Sequence, residues 1–101
     1  MDLSSDYSLA DLPVLHGELQ RLLAETSAPR IETGALNDAS LALVQLLFSA
    51  HLSARSLGKR LEISCPEGGA LARALEGFGF LEAVDTRPRL ENGTWSGLTA
   101  A

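Results

Sequence analysis

Along the first third of the chain, Leu12, Leu15, Leu19, Leu22 and Leu23 recur at spacings of three and four, which places them on one face of a helix running to about Glu25. Asp11 and Pro13 read as its start. His16, Glu18, Gln20 and Arg21 fall on its wetter side, where Gly17 weakens the helix by about 1 kcal/mol relative to Ala and so demands a packing reason. Ahead of it, residues 1–9 have room for one or two short strands, with Tyr7 to Leu9 the better candidate.

After the breaker cluster Thr26 to Pro29, the β-branched stretch Arg30 to Thr33 predicts a strand leading into Gly34. Asn37, Asp38 and Ser40 then supply capping groups ahead of Leu41, Leu43, Val44, Leu46, Leu47, Phe48 and Leu52, a second helix to about Ser56. Its apolar richness predicts a largely buried helix. Leu57 and Gly58 fit a left-handed cap, with Arg55 and Lys59 near the negative end of that helix's dipole.

From Arg60 to Cys65 the alternation of Leu61, Ile63 and Cys65 with Arg60, Glu62 and Ser64 predicts a half-buried strand that Pro66 stops. Leu71, Leu75 and Phe78, with Ala70 and Ala74, make a third helix from about Gly68 to Gly77 or Gly79, and Phe80 to Val84 has room to return as a strand. Strands separated by helices imply βαβ crossovers. The expected architecture is therefore α/β: a small mixed, mostly parallel sheet of four to five strands with helices packed mainly on one face. Beyond Asp85, Asn92 and Gly93 suggest a tight turn; a hairpin pairing Leu90 with Trp95 is an alternative to a plain tail, and the sequence gives no ground for preferring it.

Composition sharpens this picture by exclusion. With 101 residues the chain fits one domain, and 46% hydrophobic against 21% charged residues supplies a core built mainly from Leu, Ala, Val and Ile, since aromatics make up 5%. A formal charge of −5 with scattered arginines and lysines gives no basic footprint for nucleic acid. No apolar run approaches the roughly 20 residues needed to span a bilayer, and residues 1–11 carry acids where a secretory signal carries bases, so a cytoplasmic protein without direct membrane insertion is expected.

Candidate chemistry is sparse. Cys65 is the single cysteine, and His16 and His51 lack ligand-like spacing, so neither a metal nor another cofactor is expected. Cys65 reads as a small core hydrophobe, and both histidines as exposed or half-exposed helix residues. Gly68 and Gly69 open a helix without a phosphate-loop lysine. Asn92-Gly93-Thr94 fits a glycosylation pattern but no export signal accompanies it. The carboxylates form no acid/base pair, so no catalytic residue is assigned and a non-enzyme is expected. One segment stands apart: Leu36-Asn37-Asp38-Ala39-Ser40-Leu41, a polar cluster at the N-terminus of the most apolar helix, where unpaired amides and the dipole favour a negative group. Capping is its simplest reading, a recognition surface the alternative.

The order of elements and two local patterns resemble the STAS domain, the fold of bacterial anti-sigma factor antagonists. Tyr7 to Pro13 running into the Leu15, Leu19, Leu22 helix is similar to the family's short strand and first helix, and Leu36 to Leu41 is similar to its loop of apolar, Asp, Ser or Thr, small, small and Leu. Gly58 to Cys65, Pro66, and Leu71 to Gly79 resemble its basic turn, strand, proline loop and last core helix, so the likeness covers about residues 7–81. The resemblance implies a single STAS-like domain over 1–101, with 85–101 a tail or hairpin. It implies a partner-binding surface at Asn37, Asp38, Ala39, Ser40, Leu41 and Gln45. Aligned without a gap, the family's loop Asp falls on Asn37 and its phosphoacceptor on Asp38, which no serine kinase can modify; a shift of one or two residues makes Ser40 a phosphorylation candidate.

Two functions follow from the resemblance: a regulatory module docking a kinase-type anti-sigma factor, chemotaxis protein or other signalling protein, or a STAS accessory subunit on the ATPase of a lipid-transport ABC system. A nucleotide-binding protein or enzyme is the third class. The N-terminal region is short for the family, which often has a longer strand pair before the first helix, so a sheet edge is expected to be exposed or covered by the Leu90 to Leu98 tail, and an exposed edge invites a homodimer.

Overall fold

The computed structural model describes residues 1–3, 7–8, 10–78, 89–91 and 93–96. Three helices, α1 (Leu12–Glu25), α2 (Leu41–Ser56) and α3 (Ala70–Gly77), accompany four strands, β1 (Arg30–Ile31), β2 (Glu62–Ser64), β3 (Arg89–Glu91) and β4 (Thr94–Ser96), in a mixed α/β arrangement. The bounds of α1 follow the three-and-four spacing of its leucines, and α2 runs between its Ser40 N-cap and its Leu57 C-cap. Leu15, Leu19 and Leu23 of α1 are buried, as one-face periodicity requires.

The strands form one sheet in the order β1-β2-β4-β3. β1 and β2 are parallel, joined through α2 as a βαβ unit, while β2–β4 and β4–β3 are antiparallel. A mostly parallel sheet is therefore not what the described strands form. The reason is the C-terminal hairpin: β3 pairs with β4 with Leu90 opposite Trp95, and β4 lies beside β2, so the chain's end adds antiparallel strands where a further crossover was expected. Gly93 holds φ 73° at the turn of that hairpin. The strand expected at Phe80 to Val84 lies outside the described residues, as do Leu9 and Asn92.

The N-terminal strand also sits elsewhere. Tyr7 and Ser8 are not in a strand; instead Asp2 bridges Glu32 in parallel, with Leu3 N–H donating to Glu32 O at 2.9 Å and Glu32 N–H to Met1 O at 2.8 Å. Residues 1–3 thus cover the outer side of β1, and the hairpin covers the outer side of β2. Leu3 is fully buried, and that burial anchors the segment.

Strand alternation sorts the two faces. Ile31, Ile63 and Trp95 stand in register across one face and are all buried. The other face carries Arg30 opposite Glu62; the Arg30 guanidinium meets Glu62 at 3.2 Å and Glu32 at 2.6 Å. These exposed pairs hold the Glu32 carboxyl below its usual range, chiefly through the Arg30 hydrogen bond, and add little stability in water. On the apolar face α2 is sandwiched between α1 and α3.

Most of the expected core residues are in place, but Leu41, Leu52 and Phe78 are 43%, 45% and 44% exposed, and Trp95, from the segment read as a tail or hairpin, is the largest fully buried side chain. His51 corrects the expectation of an exposed helix residue: it is 2% exposed and meets Trp95 edge-on, ring centroids 4.6 Å apart at 78°. Gly17 has no packing reason, since a Cβ there would meet nothing within 4 Å. Gly58, at φ 71°, ends α2 as expected: Gly58 N–H donates to Arg55 O and Lys59 N–H to Ala54 O, the paired bonds of a Schellman cap. Lys59, expected to serve the end of α2, reaches across instead. Its Nζ donates to Leu23 O and Ala24 O, placing a cation on carbonyls in the last turn of α1.

Candidate functional site

The segment singled out in the sequence lies past the C-terminal ends of the parallel pair β1 and β2. Thr33 leaves β1 fully tied: its N–H donates to Ser64 Oγ at 3.1 Å and its hydroxyl donates to Ser64 O. Both residues are buried, so the loop springs from a fixed base. Leu36 N–H closes a turn onto Thr33 O at 3.1 Å.

From there burial alternates. Leu36 and Ala39 are 6% and 5% exposed and pin the loop to the core, while Asn37, Asp38 and Ser40 face solvent. Asp38 Oδ1 accepts from Ala39 N–H at 2.9 Å, a local bond that shapes the loop. The cap of α2 is Ser40, whose Oγ accepts from Leu43 N–H at 3.1 Å. Asp38 is therefore a loop residue two positions ahead of the cap. Of the six residues in the expected partner surface, Asn37, Asp38, Ser40, Leu41 and Gln45 present side chains outward, and Ala39 turns its methyl inward.

The exposed side continues beyond Gln45, and here the sequence reading fell short. α2 is not uniformly buried: Leu43, Val44, Leu47, Ala50, His51 and Ala54 face the core, but Leu41 is 43% and Leu52 45% exposed, with Gln45 exposed and Phe48 half-buried between them. Positions 41, 45, 48 and 52 follow spacings of four, three and four, one stripe on a helix. That spacing was the available signal; it was hidden because both sides of α2 are apolar.

The other chemical candidates are accounted for structurally. Cys65 is 1% exposed, and loss of hydration pushes its thiol up to about 11, away from the reactive thiolate. Gly68 holds φ 75° in a turn closed by Gly69 N–H donating to Pro66 O at 2.9 Å, and a Cβ on Gly69 would meet that same oxygen at 3.0 Å. The two glycines are thus demanded by the turn that starts α3. His16 is exposed and shares a 3.2 Å contact between its Nε2 and Gln20 Nε2. An open groove of about 350 Å³ between α1 and the end of α2 is lined by Gln20, Leu23, Ser53, Ser56 and Leu57, none of them an acid or base. Among the described residues no group of three His, Cys, Asp or Glu is placed to hold a metal ion, and no helix is long and apolar enough to cross a membrane.

Comparison with family models, with curated protein sequences and with solved structures finds no match.

Proposed function

We propose that the chain is a non-enzymatic regulatory interaction module, STAS-like in organisation, that docks a signalling protein through Asn37, Asp38, Ser40, Leu41 and Gln45. The observation that carries this reading is the alternation of buried anchors and outward side chains. Leu36, Ala39 and the Ser40 cap hold the loop rigid, so exposed polar groups and the exposed Leu41 form a preorganised mixed surface that loses little entropy on binding. A surface of this kind suits a protein partner better than a small molecule, which requires concavity. Asp38 supplies a fixed negative charge near the position where the resembling family carries its phosphoacceptor, and Ser40 supplies a hydroxyl at a helix start, where a phosphate would meet a favourable dipole.

The test is affinity purification of the tagged protein from its native cells, with Asp38→Lys as control, followed by mass spectrometry. Recovery of a kinase-like or chemotaxis protein that the control loses is the expected result. Recovery of an ABC-type ATPase would move the protein to the transport reading, and a retained set unchanged by the control would remove this surface from the function.

A further inference from the structure

We infer that the outer stripe of α2 is self-complementary and pairs two copies of this chain in an antiparallel, two-fold arrangement. The stripe Leu41, Gln45, Phe48, Leu52 and Arg55 steps by four, three, four and three, the spacing that keeps one seam facing a partner helix. Place a second α2 antiparallel to the first about a two-fold axis passing between Leu46 and Leu47. Leu41 then meets Leu52 of the second copy, and Gln45 meets its Phe48. At each end Asp38, in the loop before the helix, comes to the same end as the other copy's Arg55, because both are the same number of residues from the axis.

Two features favour a second copy over another occupant. Apolar meets apolar at Leu41 and Leu52, each more than two-fifths exposed in the single chain. An exposed acid stands at one end of the stripe and an exposed base at the other, so the same surface supplies both halves of two ion pairs, as an isologous interface must. Pairing through the edge of β1 is not open in the same way, because Met1 and Leu3 already hydrogen-bond along it.

The contact is small. A 16-residue helix is about 24 Å long, and one helix pair of that length buries less than the ~1,200 Å² of a standard stable interface, so a weak, concentration-dependent dimer is expected. This inference goes beyond the docking proposal and does not rest on it. The two share Asp38, Leu41 and Gln45, so a dimer of this form and a docked partner exclude one another, and self-association would hold the docking surface closed at high concentration.

Sedimentation equilibrium of the full chain over a range of concentrations tests the pairing, with circular dichroism to verify folding of each variant. The wild type should show a monomer–dimer equilibrium that L52E abolishes. D38R and R55D each set like charges opposite one another in their own homodimers and should weaken them roughly ten-fold. An equimolar mixture of those two variants restores opposite charges at both ends and should dimerise about as well as wild type. A chain that stays monomeric throughout, a dimer that survives L52E, or a mixture no better than its components would overturn the inference. None of these results alters what the affinity purification reports about a signalling partner.

Discussion

The two long sides of α2 contain the same kinds of residue and do opposite things. The inner side places Leu43, Val44, Leu47 and Ala54 in the core and sets His51 edge-on to Trp95, whereas the outer side leaves Leu41 and Leu52 in contact with water. A helix this apolar all round has no chemical contrast from which to read its orientation. What decides the matter is the partner layer: β4 offers Trp95 to one side, and no described element covers Leu41 or Leu52. Apolar character in α2 therefore carries stability on one side and, in the proposed reading, recognition on the other, and variants separate the two.

The largest effect is expected from the inner side. Trp95→Ala removes the biggest fully buried side chain and the ring against which His51 packs, and should lower the unfolding free energy by about 3–5 kcal/mol, read from urea melts. Against a total of roughly 5–15 kcal/mol for a domain, that variant is near the limit of folding. A loss below about 1 kcal/mol would show that the hairpin is peripheral to the core.

Next comes the acid dependence of the same contact. Burial holds the His51 imidazole down to about 3, against an ordinary value of 6.5, and neither ring nitrogen has a hydrogen-bond partner among the described residues. Below pH 6.5 the unfolded chain takes up a proton that the folded chain refuses, so stability falls as pH falls and is fully present above 6.5. The slope is about 1.4 kcal/mol per pH unit, which amounts to about 2–3 kcal/mol by about pH 4.5. His51→Leu should remove that share of the slope; a variant with the wild-type pH profile would show that another group governs acid sensitivity.

Much of this was legible in advance, and the failures share a cause. The bounds of α1 and α2, the β2 alternation and the Gly58 cap could be read because each is local: spacing, period and a required left-handed residue. The docking of Trp95 beside β2, the burial of His51 and the reach of Lys59 to α1 are set by contacts between segments distant in sequence, which no local pattern encodes. At the candidate site Asn37, Asp38 and Ser40 were singled out from their polarity and place before the helix, whereas Leu41 and Gln45 came with the family resemblance; all five are exposed. The extension to Leu52 was missed because a leucine on a rich apolar helix looks like core.

A smaller effect belongs to the junction of the two sides. Ser40→Ala deletes the cap that accepts from Leu43 N–H and should cost about 1 kcal/mol, with Ser40→Asp retaining most of it. If Ser40→Ala also loosens the loop, partner retention should fall in step with stability. Retention lost in Ser40→Asp at unchanged stability would instead identify the hydroxyl itself as a contact.

The smallest effect on stability is the sharpest test of the comparison, because it sets two leucines two positions apart against each other. Leu43 is 1% exposed and Leu41 43% exposed on the same first turns of α2. Leu43→Ser should destabilise by several kcal/mol, since it leaves a void and a hydroxyl in the core, at about the level of other large-to-small core changes. Leu41→Ser should change the unfolding free energy by no more than about 0.5 kcal/mol, as surface substitutions do. If Leu41→Ser nevertheless reduces retention of the partner and weakens self-association, the outer side is a recognition surface whose apolar residues have no role in holding the fold. If it destabilises the chain as Leu43→Ser does, the outer side is packed in solution and the division of α2 into two sides fails.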